Sequence, residues 1–307
     1  MFLGLDTSNY TTSAAAYDPV VNTMRQEKRL LPVREGEMGL RQSDAVFHHV
    51  RQLPDVLEAL LAGNERNFLA VGVSDRPRET EGSYMPCFLA GLGAARELSA
   101  VLRIPYFRFT HQQGHVAAAL FGSGRLELFE REFIAFHLSG GTTEALAVCP
   151  DGAGGLCCRL LARSLDLKAG QLIDRVGAAL GLPFPAGPAL EQMALKAKGR
   201  YAPKASMDGM NCHLSGAENQ CRAMLERGEP QEETALFCLM QVLAAVEGMT
   251  KAVLQECGKH PLLYAGGVMS NSLLRNALQE RYGGFFAPPS YSADNAAGIA
   301  LLCSRRV

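Results

Sequence analysis

Apolar and polar positions alternate through residues 1 to about 30, the period of strands joined by turns. Met1-Phe2-Leu3-Gly4-Leu5 runs into Asp6-Thr7-Ser8-Asn9, and Thr12-Ser13-Ala14-Ala15-Ala16-Tyr17 follows. The chain therefore opens as strand, polar turn and strand, with hydroxyls at the tip. The period then lengthens. Val46, Val50, Leu53, Val56, Leu57 and Leu60 mark one face of a helix over Asp44 to Leu61. Phe68 to Val73 reads as a short buried strand, and Phe88 to Leu102 as a helix rich in Ala, Gly and Leu. Pro105 to Phe109 is a strand that delivers His111, and Phe133 to His137 is another. Glu232 to Cys257 has the spacing of a long helix, and a final helix is expected to start at Asp294.

Three glycine-bearing motifs interrupt these elements. In Phe136-His137-Leu138-Ser139-Gly140-Gly141-Thr142-Thr143-Glu144 an apolar strand enters a tight turn whose amides and hydroxyls suit phosphate oxygens. Asp174, in Gln171-Leu172-Ile173-Asp174-Arg175-Val176, precedes Gly181-Leu182-Pro183-Phe184-Pro185-Ala186-Gly187-Pro188. In Leu262-Leu263-Tyr264-Ala265-Gly266-Gly267-Val268-Met269-Ser270-Asn271 a strand runs into Gly-Gly and then Asn, a junction where nucleotides sit in α/β folds. A single Gly-Gly pair is more often an ordinary turn. Outside these motifs, His111 and His115 in Thr110-His111-Gln112-Gln113-Gly114-His115 stand one helical turn apart, so both imidazoles share a face and can share a metal. Such a site needs a third ligand, and Asp294 in Ser292-Ala293-Asp294-Asn295 is the candidate. His137 lies two residues before Ser139, on the same strand face as that hydroxyl. Ser43 or Asp44 is expected to cap the first helix, and the polar stretch 39–44 is also a candidate substrate loop. His48 and His49 are adjacent and so face apart on that helix, which argues against a paired metal site.

At 307 residues the chain can build two lobes and a large core, and 48% hydrophobic against 20% charged residues excludes a disordered chain. The formal net charge of −1 means that nucleic-acid binding would need a local patch; Arg76 with Arg78, and the run Lys196, Lys198, Arg200 and Lys204, are the candidates. Nine cysteines without a CxxC pair, an adjacent Cys157-Cys158 and the lack of a signal segment read as a reducing cytoplasm. No apolar run is expected to reach the length of a membrane span, so no membrane partner is expected. No HExxH or Ser-His-Asp arrangement is found, which argues against a protease.

In order and spacing these motifs resemble the TsaD family of tRNA threonylcarbamoyladenosine synthases, also described as O-sialoglycoprotein endopeptidase-like or M22 proteins. The resemblance covers nearly the whole chain. It implies an α/β, two-lobed actin/hexokinase/Hsp70-like nucleotide-binding fold. Residues 1–130 would form the N-terminal lobe, with a C-terminal helix 291–307 crossing back, and 131–290 the C-terminal lobe. It implies that His111, His115 and Asp294 hold one divalent metal, iron or zinc. The loop His137, Leu138, Ser139, Gly140 and Gly141 would touch nucleotide phosphates, and Asp174, Gly187 and Asn271 the ribose and base. The adenine nucleotide is ATP or threonylcarbamoyl-AMP, and the reaction moves threonylcarbamoyl to N6 of the adenosine beside the anticodon in tRNA. Archaeal and eukaryotic relatives carry a Tyr at the His137 position that approaches the metal, which implies His137 as a candidate third imidazole ligand; the alternative is a strand histidine in polar packing. The implied partners are tRNA and proteins of the TsaB and TsaE type, in a homodimer or heterodimer.

The chain departs from the family pattern at defined places. Tyr10 and Thr11 replace an acidic pair, Gln112-Gln113 stands where Met-Glu is usual, and 73–86 replaces a glycine-proline-glycine stretch. These changes support an alternative: a divergent paralogue that binds an adenine nucleotide and either carbamoylates another acceptor or serves as a non-catalytic scaffold.

Overall fold

The computed structural model describes residues 1–8, 10–32, 40–63 and 67–307, so Asn9 of the first turn and Gly39 of the 39–44 stretch lie outside it. The chain forms two compact units. The first contains Met1–Arg131, Cys149–Cys158 and Asp294–Val307; the second contains Glu132–Val148 and Arg159–Ala293. The segment Cys149–Cys158 thus clusters with the first unit, although the sequence reading has it inside the stretch 131–290.

In the first unit the opening residues are strands β1 (Phe2–Asp6), β2 (Thr11–Asp18) and β3 (Thr23–Leu30). Helix α1 (Gln42–Leu61), β4 (Ala70–Arg76), α2 (Phe88–Leu102), β5 (Tyr106–Thr110) and α3 (His111–Ser123) follow. The sheet order is β3-β2-β1-β4-β5. β1 and β2 pair antiparallel and β1, β4 and β5 parallel. Every residue of β1 is buried, as expected for a parallel strand covered on both faces. Helix α1 begins at Gln42 with Arg41 as its cap residue and no side-chain cap bond, so the expected cap by Ser43 or Asp44 is not made. Both residues already lie inside the first turn.

The second unit repeats this plan. Its elements are β6 (Phe133–Leu138), β7 (Thr143–Pro150) and β8 (Leu156–Arg163), whose hairpin ends within Cys149–Cys158 cluster with the first unit, then α4 (Ala169–Ala179), α5 (Gly187–Ala194), β9 (Ser206–Asp208), β10 (Asn211–His213), α6 (Ser215–Glu226), α7 (Gln231–Cys257), β11 (Leu262–Ala265), α8 (Ser272–Tyr282), β12 (Phe285–Phe286) and α9 (Pro289–Ser292). The order β12-β11-β6-β7-β8 is the first sheet's order again. Like β1, β6 pairs antiparallel with the strand that follows it and parallel with a later one, β11, which in turn pairs parallel with β12. Helix α7 packs through Ala235, Leu239, Val242, Val246 and Val253 into this unit's core. It is also long and apolar enough, by length and composition, to cross a membrane. That corrects the expectation that no run reaches this length; 56% of its most apolar window is buried within the fold, where a core helix satisfies the same test. The last helix is Ala297–Ser304, and Asp294 lies in the bend before it rather than at its start.

Candidate metal centre and nucleotide loops

Helix α3 starts at its first histidine because Thr110 caps it. The Thr110 hydroxyl accepts from Gln113 N at 3.1 Å, and Gln113 Oε1 accepts from Thr110 N at 2.8 Å, a complete capping box. Gln113 does more than a glutamate could there. Its Nε2 donates to Leu156 O at 2.6 Å and to Glu79 at 3.2 Å. The departure at this position therefore keeps the cap and adds two donated bonds.

The C-terminal helix reaches the same place through small residues. A Cβ on Gly298 would overlap the carbonyl oxygen of Gly114, which lies between His111 and His115, and one on Gly4 would overlap the backbone of Ala300. Only glycine lets β1, α3 and the last helix approach this closely. That approach brings Asp294, four residues before Gly298, to the two imidazoles. His111 Nε2 and His115 Nε2 are 2.8 Å apart, and Asp294 Oδ1 lies 3.2 Å from His115 Nε2 and 3.7 Å from His111 Nε2. Among the described residues, this is the only set of three or more metal-type donors so close together. Bonds of about 2.0–2.2 Å to one ion put adjacent ligand atoms roughly 3.0–3.4 Å apart, so this donor set fits a shared cation. His137 is not part of the set.

Asp6, at the end of β1, completes the arrangement and was not singled out from the sequence. Its buried carboxylate lies 2.8 Å from His111 Nδ1, and its other oxygen accepts from Ser8 N at 2.9 Å. Binding Nδ1 this way turns His111 Nε2 toward His115 and Asp294, the role a carboxylate plays behind a metal-bound histidine. Burial alone would raise the Asp6 carboxyl, but the His111 charge and hydrogen bond, with those from Ser8, hold it low. Burial opposes charge on His111; Asp6 and then Asp294 outweigh it and raise the imidazole to about 9. Burial and the neighbouring His111 lower His115. The pair thus holds its charge on His111, next to Asp6. The signal available in the sequence was an acidic residue closing a buried strand, but its partner is 105 positions away.

In the second unit the glycine motifs come together. Ser139 N donates to Thr142 O at 2.8 Å, closing the turn that exposes Gly140 and Gly141. The first turn of α4 lies against it: Gly170 N donates to Ser139 O at 3.2 Å and Ala169 N to the Thr143 hydroxyl at 2.8 Å. Gly266, at φ 95°, follows β11, and a Cβ there would overlap the Leu138 carbonyl. Leu138 is buried, and His137 pairs with Ala265 across β6 and β11. Asp174 accepts from Ala186 N at 2.9 Å, just before Gly187 opens α5, and burial raises its carboxyl. Asn271 Oδ1 caps α8 by accepting from Leu274 N at 3.1 Å. The two polar side chains thus already serve the fold, and the turn offers main-chain amides beside a helix N-terminus. Of the candidate basic residues, Arg76 is bound to buried Asp75, while Lys196, Lys198, Arg200 and Lys204 are exposed.

The chain is similar to known proteins in fold and in sequence. A solved relative by fold, component A of the (R)-2-hydroxyglutaryl-CoA dehydratase of Acidaminococcus fermentans, aligns over 99% of this chain and 98% of its own with a TM-score of 0.60 at 12% identity. The fold is of the actin/hexokinase/Hsp70 type. A probable bifunctional tRNA threonylcarbamoyladenosine biosynthesis protein of Methanothermobacter thermautotrophicus is 27% identical over 305 residues, 98% of this chain, which spans about half (54%) of that longer protein. A tRNA N6-adenosine threonylcarbamoyltransferase of Thermus thermophilus is 30% identical over 317 residues, 99% of this chain and 92% of its own length. The family model described as TsaD, tRNA N6-adenosine threonylcarbamoyltransferase, matches residues 36–301. On that match and the order of its motifs, the chain belongs to the TsaD family.

Proposed function

We propose that this protein is an acyltransferase that moves a threonylcarbamoyl group from threonylcarbamoyl-adenylate to N6 of the adenosine beside the anticodon in tRNA. The observation that carries the reading is the convergence of His111, His115 and Asp294 in a member of this family. These three residues would hold one divalent metal, iron or zinc, which when bound supplies Lewis acidity and an anchoring point for the threonylcarbamoyl moiety. Asp6 orients His111 through Nδ1, so the ligand face is set before anything binds. The amides of Gly140 and Gly141, next to the α4 N-terminus, would take the phosphate and stabilise it as the leaving group. Asp174, Gly187 and Asn271 would line the nucleoside. The basic residues of 196–204 would take tRNA phosphates, in which case affinity falls steeply with added salt. Partner proteins of the TsaB and TsaE type belong to this reading.

Tyr10 and Thr11 favour a second reading, a paralogue that keeps nucleotide and metal but uses another acceptor, or none. Thr11 is buried in β2, opposite Leu30, so this position presents no carboxylate. Complementation of a TsaD-depleted bacterium, with partner proteins supplied, separates the two. Rescue that is lost with His111→Ala supports the tRNA enzyme; failure of well-expressed wild type to rescue supports the paralogue.

A further inference from the structure

The hairpin of β7 and β8 ends in a turn tied to the C-terminus. Asp151 N donates to Gly155 O at 3.1 Å across the turn, and Asp151 Oδ1 accepts from Ala153 N at 2.9 Å and Gly155 N at 2.8 Å. Arg306 donates to Ala153 O and Arg305 to Gly154 O, both at 2.8 Å, and Arg306 also pairs with Asp151. Two residues back along each strand from the 151–155 pair stand Cys149 and Cys157. Facing residues of an antiparallel ladder have Cα atoms about 4.5 or 5.5 Å apart, both inside the 4.4–6.8 Å a disulfide spans. β7 and β8 are neighbours in the sheet, and the register set by the Asp151–Gly155 bond puts Cys149 opposite Cys157, with side chains on one face; burial, and then the neighbouring Cys149, push the Cys157 thiol up. Cys157 is exposed and Cys149 half-buried, so a small thiol reagent can reach the pair. Cys158 follows Cys157 directly, and neighbours on a strand point to opposite faces. The pair is not a metal site of the kind described above: among the described residues no third donor joins it.

We propose that Cys149 and Cys157 are a dithiol–disulfide pair, a redox modification site separate from the metal-type cluster. The oxidant is a low-molecular-weight disulfide. The Cys157 thiolate attacks one of its sulfurs, forming a mixed disulfide and expelling one thiolate. Cys149 then attacks the Cys157 sulfur, the mixed S–S bond breaks, and the second thiol leaves. One protein disulfide replaces two thiols; the electron pair and the two protons end on the two released small thiols. The arginine-held turn keeps both sulfurs facing, which favours closure of the second step over accumulation of the mixed disulfide. The closed bond would flank Leu156, whose carbonyl accepts from Gln113 between the two histidines of α3.

Equilibration of the full-length protein in oxidised and reduced glutathione, followed by acid quench, alkylation and mass spectrometry, tests this. Two thiols should disappear together in one transition, with the loss of two hydrogens and no lasting glutathione adduct, and fragmentation should map the bond to Cys149 and Cys157. Cys158→Ser should leave the transition in place. Cys149→Ser should instead stop at a glutathione adduct on Cys157, with the melting temperature of the reduced variant within a few degrees of wild type. Stepwise glutathione adducts on wild type without loss of two hydrogens would overturn the proposal. A bond that still forms in Cys149→Ser, drawing on Cys158, would overturn it too.

Discussion

The candidate site of the first unit is made of side chains, and that of the second of main chain. His111, His115, Asp294 and Asp6 converge from three separated stretches of sequence, and the site consists of their donor atoms. In the second unit the turn at 139–142 offers amides, while Asp174 and Asn271 already bind the backbone. The two respond differently to mutation. A side-chain cluster is sensitive to what it is made of and to the packing that gathers it. A main-chain site is sensitive to turn geometry and tolerates side-chain loss better.

The packing is the place to break the first site. Gly298→Ala puts a methyl group into the Gly114 carbonyl and near Ala118 N. It should destabilise the protein by about 3 kcal/mol, the upper range for overpacking, and lower metal content as well. Urea unfolding with elemental analysis checks both. If stability holds while Asp294 remains in place, the close approach does not gather the site.

Acid separates the units. His49 is buried in the first; burial, opposed in part by the Asp6 charge, lowers its imidazole to about 4. The folded state therefore refuses a proton that the unfolded chain accepts below about 6.5, and stability present above that pH is lost as pH falls toward about 4, on the order of 2–3 kcal/mol. Asp166, in the second unit, accepts from Leu214 N at 2.8 Å and Leu167 N at 2.6 Å; burial opposes ionisation, but these bonds and those from Ser215 lower its carboxyl to about 2. Its contribution is present above the unfolded carboxylate range and disappears between about 4 and 2, and partial exposure reduces it to about 1 kcal/mol. Hydrogen exchange followed down this pH range should show the first unit loosening before the second. The reverse order contradicts both assignments.

Asp6→Asn keeps the shape and removes the charge behind His111. Metal affinity should fall 10–100-fold, as for other carboxylates behind metal-bound histidines, and Asp6→Glu should restore part of it. Competition with a chelating dye measures this; unchanged affinity in Asp6→Asn removes Asp6 from the account. The smallest effect is expected in the second unit. Asn271→Ala removes the α8 cap and should cost about 1 kcal/mol of stability, with a similar loss of adenylate affinity by calorimetry. A stability loss without any change in adenylate binding would make Asn271 a cap and nothing more.

Local pattern carried much of this. The i, i+4 histidines needed only a helix, and α2 spans Phe88–Leu102 as the spacing predicts. What stayed hidden depends on which strands and helices become neighbours. Asp6 meets His111 only because β1 lies beside the start of α3. The Gly114–Gly298 contact joins two helices far apart in sequence and leaves no periodic trace. The repeated sheet order is likewise invisible, since the two units share topology without shared spacing. Asn271 directly before a helix is a legible cap signal, and the Asn271 side chain does cap α8.

The central claim is that the His111, His115 and Asp294 cluster serves threonylcarbamoyl transfer to tRNA. The most direct test supplies purified protein and its partner proteins with threonylcarbamoyl-adenylate, divalent metal and unmodified tRNA, then digests the tRNA and measures threonylcarbamoyladenosine by mass spectrometry. The account predicts the modified nucleoside with wild type, and its loss with His115→Ala and after chelation. Modification that proceeds equally well with His115→Ala would contradict it.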